Sequence, residues 1–81
     1  MLQAHTMTGA QIRAARGFLD WSVRDLGEKA KVHFNTVSAI ERGKSNGKPE
    51  TLAAIRKTLE KAGVEFTNGK RPGIRLHKNP G

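Results

Sequence analysis

The stretch from Ser22 to Arg42, SVRDLGEKAKVHFNTVSAIER, decides the fold because it has the pattern of two short helices joined by a tight turn. Ser22 is followed three residues later by Asp25, a capping-box-like pattern that predicts the start of the first helix. Val37 and Ile40 are three residues apart and therefore share one face of the second helix. The apolar residues that would close the two helices over one small core are Leu26, Ala30, Val32, Val37 and Ile40.

The outward face of the second helix is the first indication of function. Gly27 and Ala30 are small where the second helix must lean on the first. The side of the second helix opposite Val37 and Ile40 carries Phe34, Asn35, Ser38 and Ala39. A helix that buries one side and presents such residues on the other is suited to the major groove of DNA.

This stretch resembles the helix-turn-helix of the Cro/phage-repressor-like (XRE-type) family of bacterial transcription regulators. The resemblance is carried by Leu26, Gly27, Ala30 and Val32, followed by Thr36-Val37-Ser38-Ala39-Ile40-Glu41-Arg42-Gly43. The ending Ile-Glu-Arg-Gly is frequent in the family, and the similarity extends roughly from Thr8 to Gly63. Three positions depart from the family pattern: Val23 stands where Gln is common, Lys31 where Gly is common, and His33 where Ser is common.

Length and charge narrow the class of protein. The chain has 81 residues, enough for one domain with a small core, and 15 Lys and Arg against 7 Asp and Glu give a net charge of +8. A domain this basic favours a polyanion as its partner, either nucleic acid or an anionic membrane surface. We expect no membrane association, since no run approaches the roughly 18 apolar residues of a spanning helix and no helix has a wide apolar face with basic flanks. The absence of cysteine excludes disulfides, and with no secretory signal at the start we expect a cytoplasmic protein.

The flanking sequence predicts a mainly α domain of about four helices with a small C-terminal β-hairpin. We expect residues 1–7 to be a flexible N-terminus, residues 8–63 the helix-turn-helix domain, and residues 64–81 a β-hairpin with a basic tail. Thr8 and Gln11 form a capping box that opens the first helix. Its apolar face is Ile12, Ala15 and Leu19, with Phe18 beside them and with Arg13 and Arg16 on the solvent side. Trp21 follows, either packing over the helix junction or stacking on a base.

The segment after Ile40 predicts a basic loop and a fourth helix. Gly43 suits the position just past a helix end. Arg42, Lys44 and Lys48 would either lie along the sugar-phosphate backbone or be an ordinary solvated basic loop. The fourth helix begins at Pro49, and Gly63 closes it. Its apolar face is Leu52, Ile55, Leu59 and Ala62.

The tail predicts two strands, because Val64-Glu65-Phe66-Thr67 and Ile74-Arg75-Leu76-His77 alternate between apolar and polar residues around a turn-rich segment. A lone hairpin is unstable in water, so it must pack on the helices or pair with another chain. The positive residues of this tail either form a second DNA contact or lie in solvent as a charged rim. They are Lys70, Arg71, Arg75 and Lys78.

Nothing in the sequence indicates catalysis or a cofactor. His5, His33 and His77 lack metal-ligand spacing, and neither a Ser/His/Asp arrangement nor a P-loop is present. Glu41, with Arg42 and Arg16 nearby, is interpreted as an ion-pair partner. We therefore expect a non-enzyme that binds double-stranded DNA, with no metal and no small-molecule ligand.

The sequence-based interpretation is a sequence-specific regulator that acts as a homodimer on an inverted-repeat operator, with repression and autoregulation implied by the family resemblance. The candidate base contacts are Phe34, Asn35, Ser38 and Ala39. The candidate contacts to the DNA backbone are Ser22, Arg24, His33, Thr36, Arg42, Lys44, Asn46 and Lys48. The candidate dimer interface is Leu59, Phe66, Ile74 and Leu76. Two alternatives stay open: an architectural or excision-type DNA-binding protein, and an antitoxin-like protein-interaction module.

Overall fold

Four helices and an antiparallel pair of strands make up the residues that the computed structural model describes, which are 7–67 and 73–76. The helices are α1 (Gly9–Leu19), α2 (Val23–Ala30), α3 (Phe34–Glu41) and α4 (Pro49–Lys61), followed by β1 (Val64–Thr67) and β2 (Gly73–Leu76). The predicted mainly α fold with a C-terminal hairpin is confirmed. Our expectations for residues 1–6 and for Lys70, Arg71, His77 and Lys78 lie outside the described residues.

The helices begin where the sequence predicts because the signals that start them are local. The Thr8 hydroxyl accepts a hydrogen bond from the Gln11 amide at 3.1 Å, and the Gln11 side chain accepts one from the Thr8 amide at 2.9 Å. Ser22 and Asp25 form the same reciprocal pair, with both distances 2.9 Å. Pro49 occupies the first turn of α4, where its missing N–H has no partner to lose.

The core lies where the four helices and the hairpin pack together. Ile12, Leu26, Val37, Ile55 and Leu59 are fully buried, in agreement with the predicted apolar faces. One expectation for the start of the chain is wrong: Met7, expected in a flexible N-terminus, is buried in this core. Phe18 lies beside the apolar face of α1 as expected, and 64% of its surface is exposed.

The hairpin is attached to α1 through a buried glutamine. Val64 pairs with Leu76 and Phe66 with Ile74, so the predicted apolar residues are cross-strand neighbours. The Gln11 side-chain amide donates to the Thr67 carbonyl at 3.1 Å and to the Gly73 carbonyl at 2.7 Å, at the end where the two strands meet their connection. Gln11 therefore both caps its own helix and fixes the position of the hairpin.

Two of the four residues predicted for the dimer interface have almost no exposed surface. Leu59 is 0% and Phe66 5% exposed, because both side chains fill the core of a single subunit. Ile74 is half-buried against that core and Leu76 is 44% exposed. Of the four predicted interface residues, only Ile74 and Leu76 on the second strand retain apolar surface that a partner could cover.

Candidate nucleic-acid interface

The turn between α2 and α3 brings the two helices into close contact. A Cβ atom at Gly27 would lie 2.6 Å from the Val32 carbonyl oxygen, so only glycine fits there. Lys31 ends α2 in the left-handed conformation with φ of 61°, which accounts for the frequency of glycine at this position in the family pattern. His33 then begins α3, and its Nδ1 accepts a hydrogen bond from the Asn35 amide at 3.1 Å. In a neutral ring this bond assigns the proton to Nε2, which is the remaining donor.

A buried ion pair fixes α3 against α1. The guanidinium of Arg16 donates to both carboxylate oxygens of Glu41, at 2.8 and 2.9 Å, and also to the Trp21 carbonyl at 2.9 Å. The hydrogen bond to Glu41 raises the pKa of Arg16 above its ordinary value, so this cation stays charged. The predicted pairing of Glu41 with Arg16 is confirmed, but Arg16 is half-buried and not on the solvent side of α1 as expected.

The outward face of α3 has the predicted orientation. Val37 and Ile40 are buried, Asn35 is exposed, and Ser38 and Ala39 are half-buried beside it. Asn35 offers an amide that can both donate and accept, and Ala39 adds a methyl group, so the face presents small groups able to approach base edges. The helix can therefore enter a groove along this side without disturbing the core.

Phe34, at the first turn of α3, contacts two potential donors to DNA. The Arg24 guanidinium lies 4.4 Å from the centre of the Phe34 ring, and the His33 ring stacks on it with centroids 4.8 Å apart and an interplanar angle of 23°. Such contacts hold an otherwise flexible arginine at little cost in hydration. We call Arg24, His33 and Phe34 the stacked cluster; it borders a concave surface of about 270 Å³ that Val32 also lines.

Most of the candidate contacts to the DNA backbone are exposed to solvent. Arg24, His33, Arg42, Lys44 and Lys48 are exposed. Ser22 and Asn46 are also exposed, and Thr36 is half-buried on α3. The loop after α3 turns at Gly43, whose φ of 75° is in the left-handed region. Exposed cations thus both precede and follow α3 along the chain.

Sequence reasoning did not identify the stacked cluster or the role of Gln11. Arg24 and Phe34 are ten residues apart in different helices, and no periodic pattern links them. Trp21 packs against the core, and the Lys29 ammonium lies 5.0 Å from its ring, which favours the predicted role at the helix junction over base stacking.

The described part of the chain contains neither a metal-binding cluster nor a membrane-spanning helix. Within residues 7–67 and 73–76, no three His, Cys, Asp or Glu side chains are grouped so as to hold a metal ion. In the same residues, no helix combines the length and the apolar content that crossing a bilayer requires.

Comparison with known proteins agrees with this geometry. The DNA-binding domain of the P22 c2 repressor (residues 1–76), solved in solution, is 29% identical with a TM-score of 0.61, covering 73% of this chain and 76% of that one. The clp gene regulator ClgR from Corynebacterium glutamicum is 30% identical with a TM-score of 0.61, covering 65% of this chain and 56% of that one. No curated protein sequence gives a significant match. The helix-turn-helix family model matches residues 12–66, and the chain therefore belongs to the helix-turn-helix family of Cro- and phage-repressor-like transcription regulators.

Proposed function

We propose that this protein binds double-stranded DNA sequence-specifically and regulates transcription from the sites that it occupies. The observation that carries the proposal is the division of α3 into a buried side, Val37 and Ile40, and an accessible side around Asn35. Family membership supports the same use of the helix. The net charge of +8 supplies the electrostatic attraction that brings a small domain onto DNA.

In this proposal α3 lies in the major groove and Asn35 reads a base. Its side-chain amide can pair bidentately with adenine. Ser38 and Ala39 lie along the same side of the helix and contact the neighbouring base pairs. Phe34 can contact a thymine methyl group, although its stacking with Arg24 and His33 also supports a role in holding those two donors.

The remaining candidate residues would fix the protein on the sugar-phosphate backbone. Three of them, Arg42, Lys44 and Lys48, belong to the loop between α3 and α4. Ser22 and Arg24 lie at the start of α2. Contacts to phosphates carry no sequence information, but they set the register and depth at which α3 sits. These residues should therefore contribute to every DNA complex, whatever its sequence.

We further propose that two subunits bind an inverted-repeat operator as a homodimer, with half-sites about 34 Å apart, one helical turn. The exposed Leu76 and the outer edge of β2 support a contact through the second strand. Binding then represses a promoter by occupying it. By analogy with the family, the repressed genes include the gene of the protein itself.

Selection of bound duplexes from random DNA tests this proposal. The expected result is an enriched motif with two-fold symmetry and two subunits per duplex. The Leu76→Lys variant is the test of the dimer, and it should still bind a half-site while losing cooperative binding to the full operator. Enrichment of no motif would refute sequence-specific binding and favour the architectural alternative. A symmetric motif that Leu76→Lys binds as cooperatively as the unmodified protein would refute the interface alone.

A further inference from the structure

A basic concave surface of about 670 Å³ lies between the C-terminal halves of α2 and α4, and we call it the α2–α4 cavity. Its rim carries Lys29, Lys31, Lys57 and Lys61, and its lining includes no Asp or Glu. Across residues 7–67 and 73–76, none of these four lysines forms an ion pair. Asp25 interacts electrostatically with Lys29, but no acidic side chain lines the surface beside the other three lysines.

The floor of the cavity is apolar in character. Trp21 and three alanines line it, and the Thr58 hydroxyl is already committed to the Ala54 carbonyl at 2.8 Å. The Lys29 ammonium lies 5.0 Å from the centre of the Trp21 ring. An apolar floor within a ring of cations matches a ligand that has an apolar group and several negative charges.

Helix dipoles explain part of this charge but not all of it. Lys29 and Lys61 lie in the last turns of α2 and α4, where a cation offsets the partial negative charge of the helix end. Lys57 is a full turn earlier in α4, so the dipole gives no reason for it. Neither does the dipole explain why the same surface is concave and holds the tryptophan.

We propose that the α2–α4 cavity binds an acidic peptide segment of another protein, with its carboxylates on the lysine rim and an apolar side chain against the three alanines and the part of Trp21 that stays accessible. The 81 residues of this sequence offer no such segment. Residues 1–6, 68–72 and 77–81 contain no Asp or Glu. Elsewhere no two acidic residues are closer than three positions apart, so a second copy offers no acidic stretch either.

A peptide fits these observations better than a nucleic acid. Single strands bind through bases that stack on exposed aromatic rings, whereas Trp21 packs against the core on one side and has Lys29 over its ring. No residue of α3 lines the cavity, which lies on α2 and α4. The site is therefore separate from the proposed DNA-reading face, and the inference does not depend on DNA binding.

Trp21 is the only tryptophan, so its fluorescence reports directly on this surface. The probe is a synthetic ten-residue peptide of Asp and Glu with one central Leu, titrated into the full chain at low ionic strength. We expect a saturable change in emission that weakens as salt is added. The double variant Lys57→Gln/Lys61→Gln should bind about tenfold more weakly, because it loses half of the cationic rim. The matched control Lys44→Gln/Lys48→Gln carries the same change in net charge and should bind the peptide as the unmodified protein does.

Each other outcome overturns the proposal. Equal weakening in both double variants would mean diffuse attraction to a basic protein. Equal binding of a peptide with Asn and Gln replacing every acid would remove the role of charge. Tighter saturable binding of single-stranded oligothymidylate than of the peptide would assign the cavity to nucleic acid. A lower melting temperature of Lys57→Gln/Lys61→Gln, with unchanged peptide affinity, would leave the lysines as helix-end partners. Failure of operator binding would bear on the proposed function and not on this site.

Discussion

The two side chains of the Arg16–Glu41 ion pair differ in their exposure to solvent, so replacing one should destabilise the protein more than replacing the other. The Glu41 side chain is 4% exposed and that of Arg16 is 18% exposed. Substitution Arg16→Ala leaves a buried carboxylate without a partner, whereas Glu41→Ala leaves a guanidinium that reaches water and keeps its bond to the Trp21 carbonyl. We therefore expect Arg16→Ala to be the more destabilising change, although both remove the same ion pair.

The expected loss in unfolding free energy for each substitution follows from how deeply the pair is buried. Removing one partner of a buried pair costs about 3–5 kcal/mol, and partial exposure of Arg16 places Arg16→Ala near the lower end, at about 3 kcal/mol. Glu41→Ala removes hydrogen bonds between charged groups and should cost about 2 kcal/mol. For a domain of this length, each kcal/mol lowers the melting temperature by about 4–8 °C. Arg16→Ala should therefore melt about 12–24 °C below the unmodified protein.

Thermal and urea unfolding, followed by circular dichroism, measure these differences. Glu60→Ala is the matched control, because it breaks a salt bridge of similar length, 2.9 Å to Arg56, whose Glu60 side chain is 46% exposed. The control should cost only about 0.3–0.5 kcal/mol. A loss for Arg16→Ala as small as that for Glu60→Ala would refute the claim that this pair fixes α3. A greater loss for Glu41→Ala than for Arg16→Ala would refute the argument from the unpaired carboxylate.

Three further predictions follow from the site. Lys44→Ala should weaken operator and random DNA by similar factors and reduce the slope of log affinity against log salt by about 0.9; an unchanged slope in a filter-binding or anisotropy series would exclude a phosphate contact. Asn35→Ala should cost roughly 1–3 kcal/mol on the operator and much less on random DNA, and equal losses would mean that Asn35 does not read a base. Hydrogen bonds from the Ser22 backbone and hydroxyl lower the pKa of Asp25, so its contribution to stability is present at neutral pH and is lost as the pH falls through that lowered value. The difference in unfolding free energy between Asp25→Asn and the unmodified protein should accordingly vanish in strong acid.

The sequence predicted most reliably those features that depend on residues close together in the chain. Capping at Thr8 and Ser22 needs a partner three residues away, and the buried face of α3 follows from the three-residue spacing of Val37 and Ile40. The glycine requirement at Gly27 follows from the closeness of the adjoining turn. Each of these predictions needed only the local chain and the geometry of a helix.

The features that the sequence left open depend on contacts between distant segments. Phe18 lies at the border of the apolar face of α1, and whether it is buried depends on which elements cover that helix. From the sequence, Gln11 can be recognised only as a capping residue. Its second role involves the carbonyls of Thr67 and Gly73, which are 56 and 62 residues away along the chain. The burial of Phe66 likewise depends on the packing of the hairpin on α4, so the alternation of the strand alone cannot distinguish a core residue from one on a dimer surface.

His33 illustrates how a departure from a family pattern can preserve one role and add another. Where the family often has Ser, the imidazole Nδ1 accepts the Asn35 amide at 3.1 Å, so α3 keeps a side-chain cap. Unlike a hydroxyl, the ring also has a flat face that stacks on Phe34, and Phe34 in turn contacts Arg24. The Phe34 ring therefore contacts both Arg24 of α2 and His33 at the start of the proposed recognition helix. Because a serine at this position could form the cap but not the stack, the second member of the stacked cluster depends on the histidine, whereas the contact of Arg24 depends on the phenylalanine.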